Sequence, residues 1–250
     1  MQDARDNHQP PFAPESPKDA SAETVELDRI ARHVGELLQG NAPIDREGSR
    51  QRCHDVLREL GSCCEKSTRL RHRIASAVTV VGGSEHLLIR LPDEPERFFK
   101  ATFDDNFGCK TEFFESDPEL TGRHFHASGN ADPIAYLWRW IYLNSIGRYQ
   151  TRYEGILPPA KPGQLPRICV SQAVLPAVNP TDDQVKHALS KYGFARICTE
   201  AFLHEDSGIL LTDLHPRNIR IVDGEPVPFD AIAEFASERV LEWWRKRRDP

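Results

Sequence analysis

The chain has 250 residues, 39% of them apolar and 28% charged, with a formal net charge of -6. That length suits one ordinary domain with appendages, and the acidic balance excludes a global basic field for gripping nucleic acid. No apolar run approaches the roughly 18 residues that span a bilayer. The six cysteines form no CxxC pair, so reduced thiols, a cytoplasmic setting, no secretory leader and no membrane partner are the expectations.

Residues 1–22 are rich in Pro, Asp, Ser and Ala and are predicted to be a disordered tail, because they cannot bury enough surface to offset their ordering entropy. Apolar residues at spacings of three and four predict a helix over 22–39, stopped by Gly40-Asn41, and a second over about 45–60, ended by Gly61. Residues 23–72 read as a helical N-terminal extension for packing or partner contact. Three β-rich runs follow at 78–81, 86–91 and 97–103. Gly82-Gly83 and Pro92-Asp93-Glu94-Pro95 separate them, which predicts an antiparallel meander.

Residues 104–131 show no clear period and read as an irregular insertion. Asp132-Pro133 opens a helix that runs to about residue 146. Pro- and Gly-rich residues 158–166 predict a loop, and 166–171 a strand. Thr181-Asp182-Asp183-Gln184 is a capping box that starts a helix ending at Tyr192-Gly193. A short run at 209–211 precedes a hairpin predicted by Asp223-Gly224 between two β runs. The last residues, 231–247, read as one helix whose basic end complements the helix dipole. The class is α+β in two lobes, an N-lobe over about 73–166 and a C-lobe over about 175–250.

The stretch richest in chemistry is Thr212-Asp213-Leu214-His215-Pro216-Arg217-Asn218, followed by the hairpin and Pro228-Phe229-Asp230. An Asp and an Asn five apart precede the hairpin, and a second Asp lies on its return strand. The fold-back brings the Asn218 amide oxygen and the Asp230 carboxylate together as hard ligands for Mg2+. Asp213 stays nearby to hold or deprotonate an attacking hydroxyl, and phosphoryl transfer from ATP needs these parts.

Here the sequence resembles the protein-kinase-like superfamily. Asp213-x-x-x-x-Asn218 matches the catalytic-loop spacing, and Asp230 stands where the Asp of the kinase DFG motif stands. The wording is similar to atypical kinases of the ABC1 type. It looks closer still to the small kinase domains of polyvalent proteins from phages and conjugative elements, with their "DLHPRN…DG…D" pattern. The corresponding pieces here also include Gly82-Gly83-Ser84-Glu85-His86, Arg97-Phe98-Phe99-Lys100, Tyr136-Leu137 to Asn144, and Ser171-Gln172.

The resemblance implies a two-lobed minimal kinase or phosphotransferase that uses ATP and Mg2+. Asp213 would act on the acceptor hydroxyl of an unknown protein or small molecule. Lys100 would oppose phosphate charge, and Asn218 and Asp230 would hold the metal. Gly82, Gly83 and Gln172 would contact nucleotide, with the segment near Ser171 to Val174 as the hinge facing adenine. A non-catalytic ATP-binding module acting through protein contacts is the alternative.

The sequence also departs from the pattern. No His-Arg precedes Asp213, Ala231-Ile232 follows Asp230, and no GxGxxG exists. The helix at 133–146 has no acidic residue to pair with Lys100; Ala135 stands where one is expected. Glu85, Glu112, Glu115 and Asp132 are candidate replacements, each read first as a surface charge. His215 is expected to order its own turn through the backbone. Only 20 residues follow Asp230, which leaves no room for a peptide platform, so Ser16 and Ser21 are candidate acceptors in cis.

Overall fold

A computed structural model of the chain describes residues 21–39, 46–77, 79–83, 85–103, 106–115, 124–129, 131–146, 149–159, 161–176 and 178–248. The predicted tail and the Gly40-Asn41 stop lie outside these residues, apart from Ser21 and Ala22. The architecture is α+β, with antiparallel strand pairing throughout the described sheets.

Three helices come first: α1 (Ala22–Gln39), α2 (Arg46–Cys63) and α3 (Glu65–Ile74). The first two match the expected pair, but α2 runs past Gly61, and α3 was not foreseen. Only Ser67 and Leu70 of α3 are buried, so it has almost no apolar stripe to announce it. Leu27, Ile30, Ala31 and Val34 of α1 and Leu57 of α2 enter the same core as Leu137, Trp140 and Ile141. The N-terminal helices are therefore part of the main body rather than a separate appendage.

The meander forms as expected: β1 (Thr79–Gly82), β2 (His86–Arg90) and β3 (Arg97–Thr102). With β6 (Arg152–Leu157) and β7 (Arg167–Ala173) it makes a five-stranded sheet in the order β1-β2-β3-β7-β6. Period-two alternation sorts β3 between two environments. Phe99 and Ala101 join Cys169 and Leu70 under α3. Lys100 has the opposite orientation and pairs in register with Val170, which lies in the core with Tyr136, Leu137 and Trp140 of α4 (Pro133–Asn144). Helix α4 starts where expected: Pro133 opens it, and Asp132 accepts the Ile134 and Ala135 amides at 2.8 Å each.

The region read as an irregular insertion contains a hairpin of β4 (Lys110–Phe113) and β5 (Phe125–Ser128). The capping box holds at Thr181 and Gln184 and starts α5 (Asp182–Ser190). A second sheet, in the order β13-β10-β9-β8, consists of β8 (Phe194–Cys198), β9 (Ala201–His204), β10 (Ile209–Thr212) and β13 (Ile232–Phe235). Between its last two members lies the predicted hairpin of β11 (Ile219–Val222) and β12 (Glu225–Pro228). Asp223 and Gly224 both take positive φ, 54° and 81°, the backbone that a two-residue turn of this hand requires.

The single C-terminal helix expected over 231–247 is corrected. Residues 232–235 are strand β13, paired to β10. Ser237 then accepts the Val240 amide and starts α6 (Glu238–Arg248). Pairing to an open edge of β10 satisfies backbone groups and buries Ile232 and Ala233, which outweighs helix propensity in so short a run. Among the described residues no helix is long and apolar enough to cross a membrane.

Candidate active site

The two sheets bring Lys100 to Asp230. The Lys100 ammonium donates to the Asp230 carboxylate at 3.1 Å and to the Phe229 carbonyl at 2.6 Å. The Lys100 side chain is 7% exposed, whereas Asp230 keeps 38% of its side chain open, enough for access from the cleft. Trp140 and Phe229 turn their rings to the ammonium at 5.4 and 5.6 Å, adding cation–π attraction. Burial, helped by Arg139, lowers the Lys100 pKa against the opposing pull of Asp230 and Glu85. Burial also works against ionisation of Asp230, but Lys100 and Arg139 outweigh it and hold that carboxyl below its ordinary range.

Asp213 and Asn218 form the second pair. The Asn218 amide nitrogen donates to the Asp213 carboxylate at 2.9 Å and to its carbonyl at 2.8 Å, leaving the amide oxygen for another partner. Asp213 has φ 54°, a left-handed backbone that costs a non-glycine residue about 1–2 kcal/mol. The Asn218 bonds and the Leu214 amide, which donates to the Glu200 carbonyl at 3.1 Å, hold it there. Burial raises the Asp213 pKa, with Glu200 and Asp230 adding to the effect and His215 and Arg139 opposing it. A carboxylate shifted in that direction suits proton transfer near neutral pH. The His215 Nδ1 accepts the Arg217 amide at 3.1 Å, the turn-ordering role expected of it.

The two pairs meet through the backbone. The Phe229 and Asp230 amides both point to the Asn218 carbonyl, at 3.0 and 3.3 Å. This follows from the β11–β12 register, which sets Ile219 opposite Pro228. Beside them a cleft of about 190 Å³ is lined by Leu88, Phe98, Lys100, Gln172, Leu175 and Phe229, among others. Gln172 lines this cleft; its amide nitrogen donates to Thr151, and its oxygen is buried without a partner. The lining contains neither Gly82 nor Gly83. Gly83 instead closes the β1–β2 turn by donating to the His86 carbonyl at 2.8 Å.

Three residues to which the sequence assigned no role in the site, or a different one, lie in it. Glu85, read first as a surface charge, is 10% exposed and paired with Arg139, itself 2% exposed. Arg139 also donates to the Ala231 and Asp230 carbonyls at 2.8 and 2.9 Å. His86 is buried, and that burial pushes its pKa down to about 3, so the ring is neutral. One signal for Arg139 was available. A lone charge between two tryptophans in an otherwise apolar helix must find a buried partner. The other acidic candidates lie elsewhere: Asp132 caps α4, Glu115 pairs with Arg239, and Glu112 is exposed. The proposed acceptor Ser21 accepts the Thr24 amide and donates to Gln150, whereas Ser16 lies outside the described residues.

Glu85, His86 and Asp230 have ligand atoms within 4.8 Å of one another. Glu85 of that trio is taken up by Arg139, and Asp230 by Lys100. An amide oxygen such as that of Asn218 and a carboxylate such as that of Asp230 are the hard oxygen donors that Mg2+ takes. No family model, curated protein or solved structure matches the chain.

Proposed function

We propose that the chain is an atypical minimal phosphotransferase that takes ATP with Mg2+ and moves its terminal phosphoryl group to a hydroxyl acceptor. One observation carries the reading: the Lys100–Asp230 pair, reaching from the third strand of the meander to the second residue after the β11–β12 hairpin, with Asp213 and Asn218 beside it. Those are the positions that kinase-like phosphoryl transfer assigns to the phosphate-binding Lys, the metal-holding Asp, the catalytic-loop Asp and its Asn. Lys100 opposes the charge of the inner phosphates. Asp213, held by Asn218 and shifted toward protonation, accepts the proton of the attacking hydroxyl. Asn218 and Asp230 would hold Mg2+, which would neutralise phosphate charge.

The segment after Asp230 limits the acceptor. It comprises a four-residue strand and an 11-residue helix, which at 1.5 Å per residue spans about 16 Å. Strand β13 is committed to its sheet, and α6 buries Val240 and Trp243 against the β8–β10 side. Neither element is free to form a peptide groove, so within these residues the reading favours a small-molecule acceptor, a recruited partner or the chain itself.

A second reading, nucleotide binding without turnover, is favoured by the cleft. Its 190 Å³ is below the roughly 300–1,000 Å³ of most small-molecule sites. Phe98 stands two residues before Lys100, where the V-A-I-K motif has Ala. Thermal unfolding with and without Mg-ATP tests both readings. Ligand at a hundredfold over its Kd stabilises by about 2.7 kcal/mol, and no shift at millimolar Mg-ATP would remove the two together. Label transfer from ATP then separates them, since binding without any transfer leaves only the second.

A further inference from the structure

Arg139 is the only charged residue among the 12 of α4, and the phosphotransferase reading leaves its role unexplained. Two of its contacts are the Asp230 and Ala231 carbonyls, so it fixes the path of the backbone that carries the Asp230 carboxylate. Its third partner, Glu85, sits in the β1–β2 turn directly before His86 and accepts the Cys109 amide at 2.7 Å. Four segments distant in sequence are thereby tied through two side chains. A planar guanidinium with a fixed fork of donors suits that task, because it cannot follow one acceptor without leaving the others.

The family resemblance implies a Lys on the sheet paired with an acid on the helix. Here the charges are arranged differently. The helix supplies the cation and the turn the acid, while Lys100 takes Asp230 directly.

The geometry points to Arg139 and Glu85 as positioning residues: a buried clamp that makes the β1–β2 turn, α4 and the Asp230 segment move as one unit, so that Asp230 is presented to a metal only while Glu85 holds the turn in. The metal clause rests on the phosphotransferase reading; the clamp itself does not. It also gives the Gly82-Gly83 turn a purpose without direct contact to nucleotide. The turn reports to the site through Glu85, and flexible glycines allow it to swing when the clamp releases.

Amide hydrogen exchange on the full chain, without ligand, tests the clamp. Glu85→Gln preserves shape and an acceptor for the Cys109 amide but removes the charge that holds Arg139. Exchange at the Phe229 and Asp230 amides, which donate to Asn218 and do not touch Glu85, should quicken at least tenfold. Amides between β8 and β9 should keep their rates. Arg139→Lys should likewise quicken the Cys109 amide. A second arm titrates Mg2+ at fixed ATP: Glu85→Gln should raise the half-saturating Mg2+ at least fivefold, with affinity for metal-free ATP within twofold of wild type. Unchanged rates at Phe229 and Asp230, or a uniform rise across the fold, would overturn the clamp. If wild-type protein binds no nucleotide, the phosphotransferase reading falls, and the exchange arm still decides the clamp.

Discussion

Replacing Arg139 with Met removes the cation that pairs with the buried Glu85 and also lies near the half-open Asp230. Arg139 is 2% and Glu85 10% exposed, and breaking one side of a buried pair costs about 3–5 kcal/mol, because the remaining charge stays desolvated. In a chain of this size each kcal/mol moves Tm by about 2–4 °C, so a fall of about 6–20 °C follows. The pH dependence gives a sharper test. In the native protein burial pushes the Glu85 pKa up, but the Arg139 charge, with hydrogen bonds from Arg139 and the Cys109 amide, overcomes it, and the net shift is below the ordinary value of 4.5. A depressed carboxyl contributes stability that is present above its unfolded pKa and is lost as pH falls through the folded one. Without Arg139 burial dominates, the folded pKa rises above the unfolded one, and the ionised carboxyl becomes a burden at neutral pH. The stability gap between the two proteins is therefore widest near pH 7 and narrows toward pH 4. Urea unfolding at both pH values measures it. Adding Glu85→Leu to the variant should recover much of the loss, since an apolar pair can replace a buried ion pair at little cost. A gap under about 1 kcal/mol, or one equal at both pH values, would refute this account of the buried network.

Three further outcomes are expected. Asp230→Asn weakens Mg-dependent ATP binding more than Asp213→Asn does, because loss of a metal-holding carboxylate acts on the bound ground state and loss of a base acts on turnover; equal losses in calorimetry would show the roles are misassigned. Phe98→Ala widens the cleft beside Lys100 and should tighten ATP binding about tenfold, roughly 1.4 kcal/mol; unchanged affinity would place the base elsewhere. Gly155→Ala should lose about 1–3 kcal/mol in chemical denaturation, as expected for overpacking. Gly155 has φ +135°, and an added Cβ would lie 2.8 Å from the Ser67 Cα of α3, whose hydroxyl also accepts the Ile156 amide of β6 at 2.9 Å; a neutral result would mean that Ser67 does not lie against β6.

The sequence by itself determined the features whose causes lie within a few residues. Asp223-Gly224 specified its turn because few residue pairs tolerate two successive positive φ values. Thr181 with Gln184 and Asp132 with Pro133 specified helix starts through orphan amides one turn away. The five-residue spacing of Asp213 and Asn218 likewise marked a pair that hydrogen-bonds inside a single loop. What depended on distant neighbours was not legible. Residues 232–235 have no local reason to be extended; β10 makes them a strand by offering an edge. Strands β6, β8 and β9 are short segments whose partners, like their burial, arise only on folding. The same holds in the site. Glu85 resembles any acid beside a turn until α4 brings up Arg139 from 54 residues away, and Lys100 meets Asp230 across 130 residues. A charge inside a protein is tolerated only where an opposite charge or hydrogen bonds compensate its desolvation. That compensation is a property of the packed interior, which the order of residues along the chain does not display.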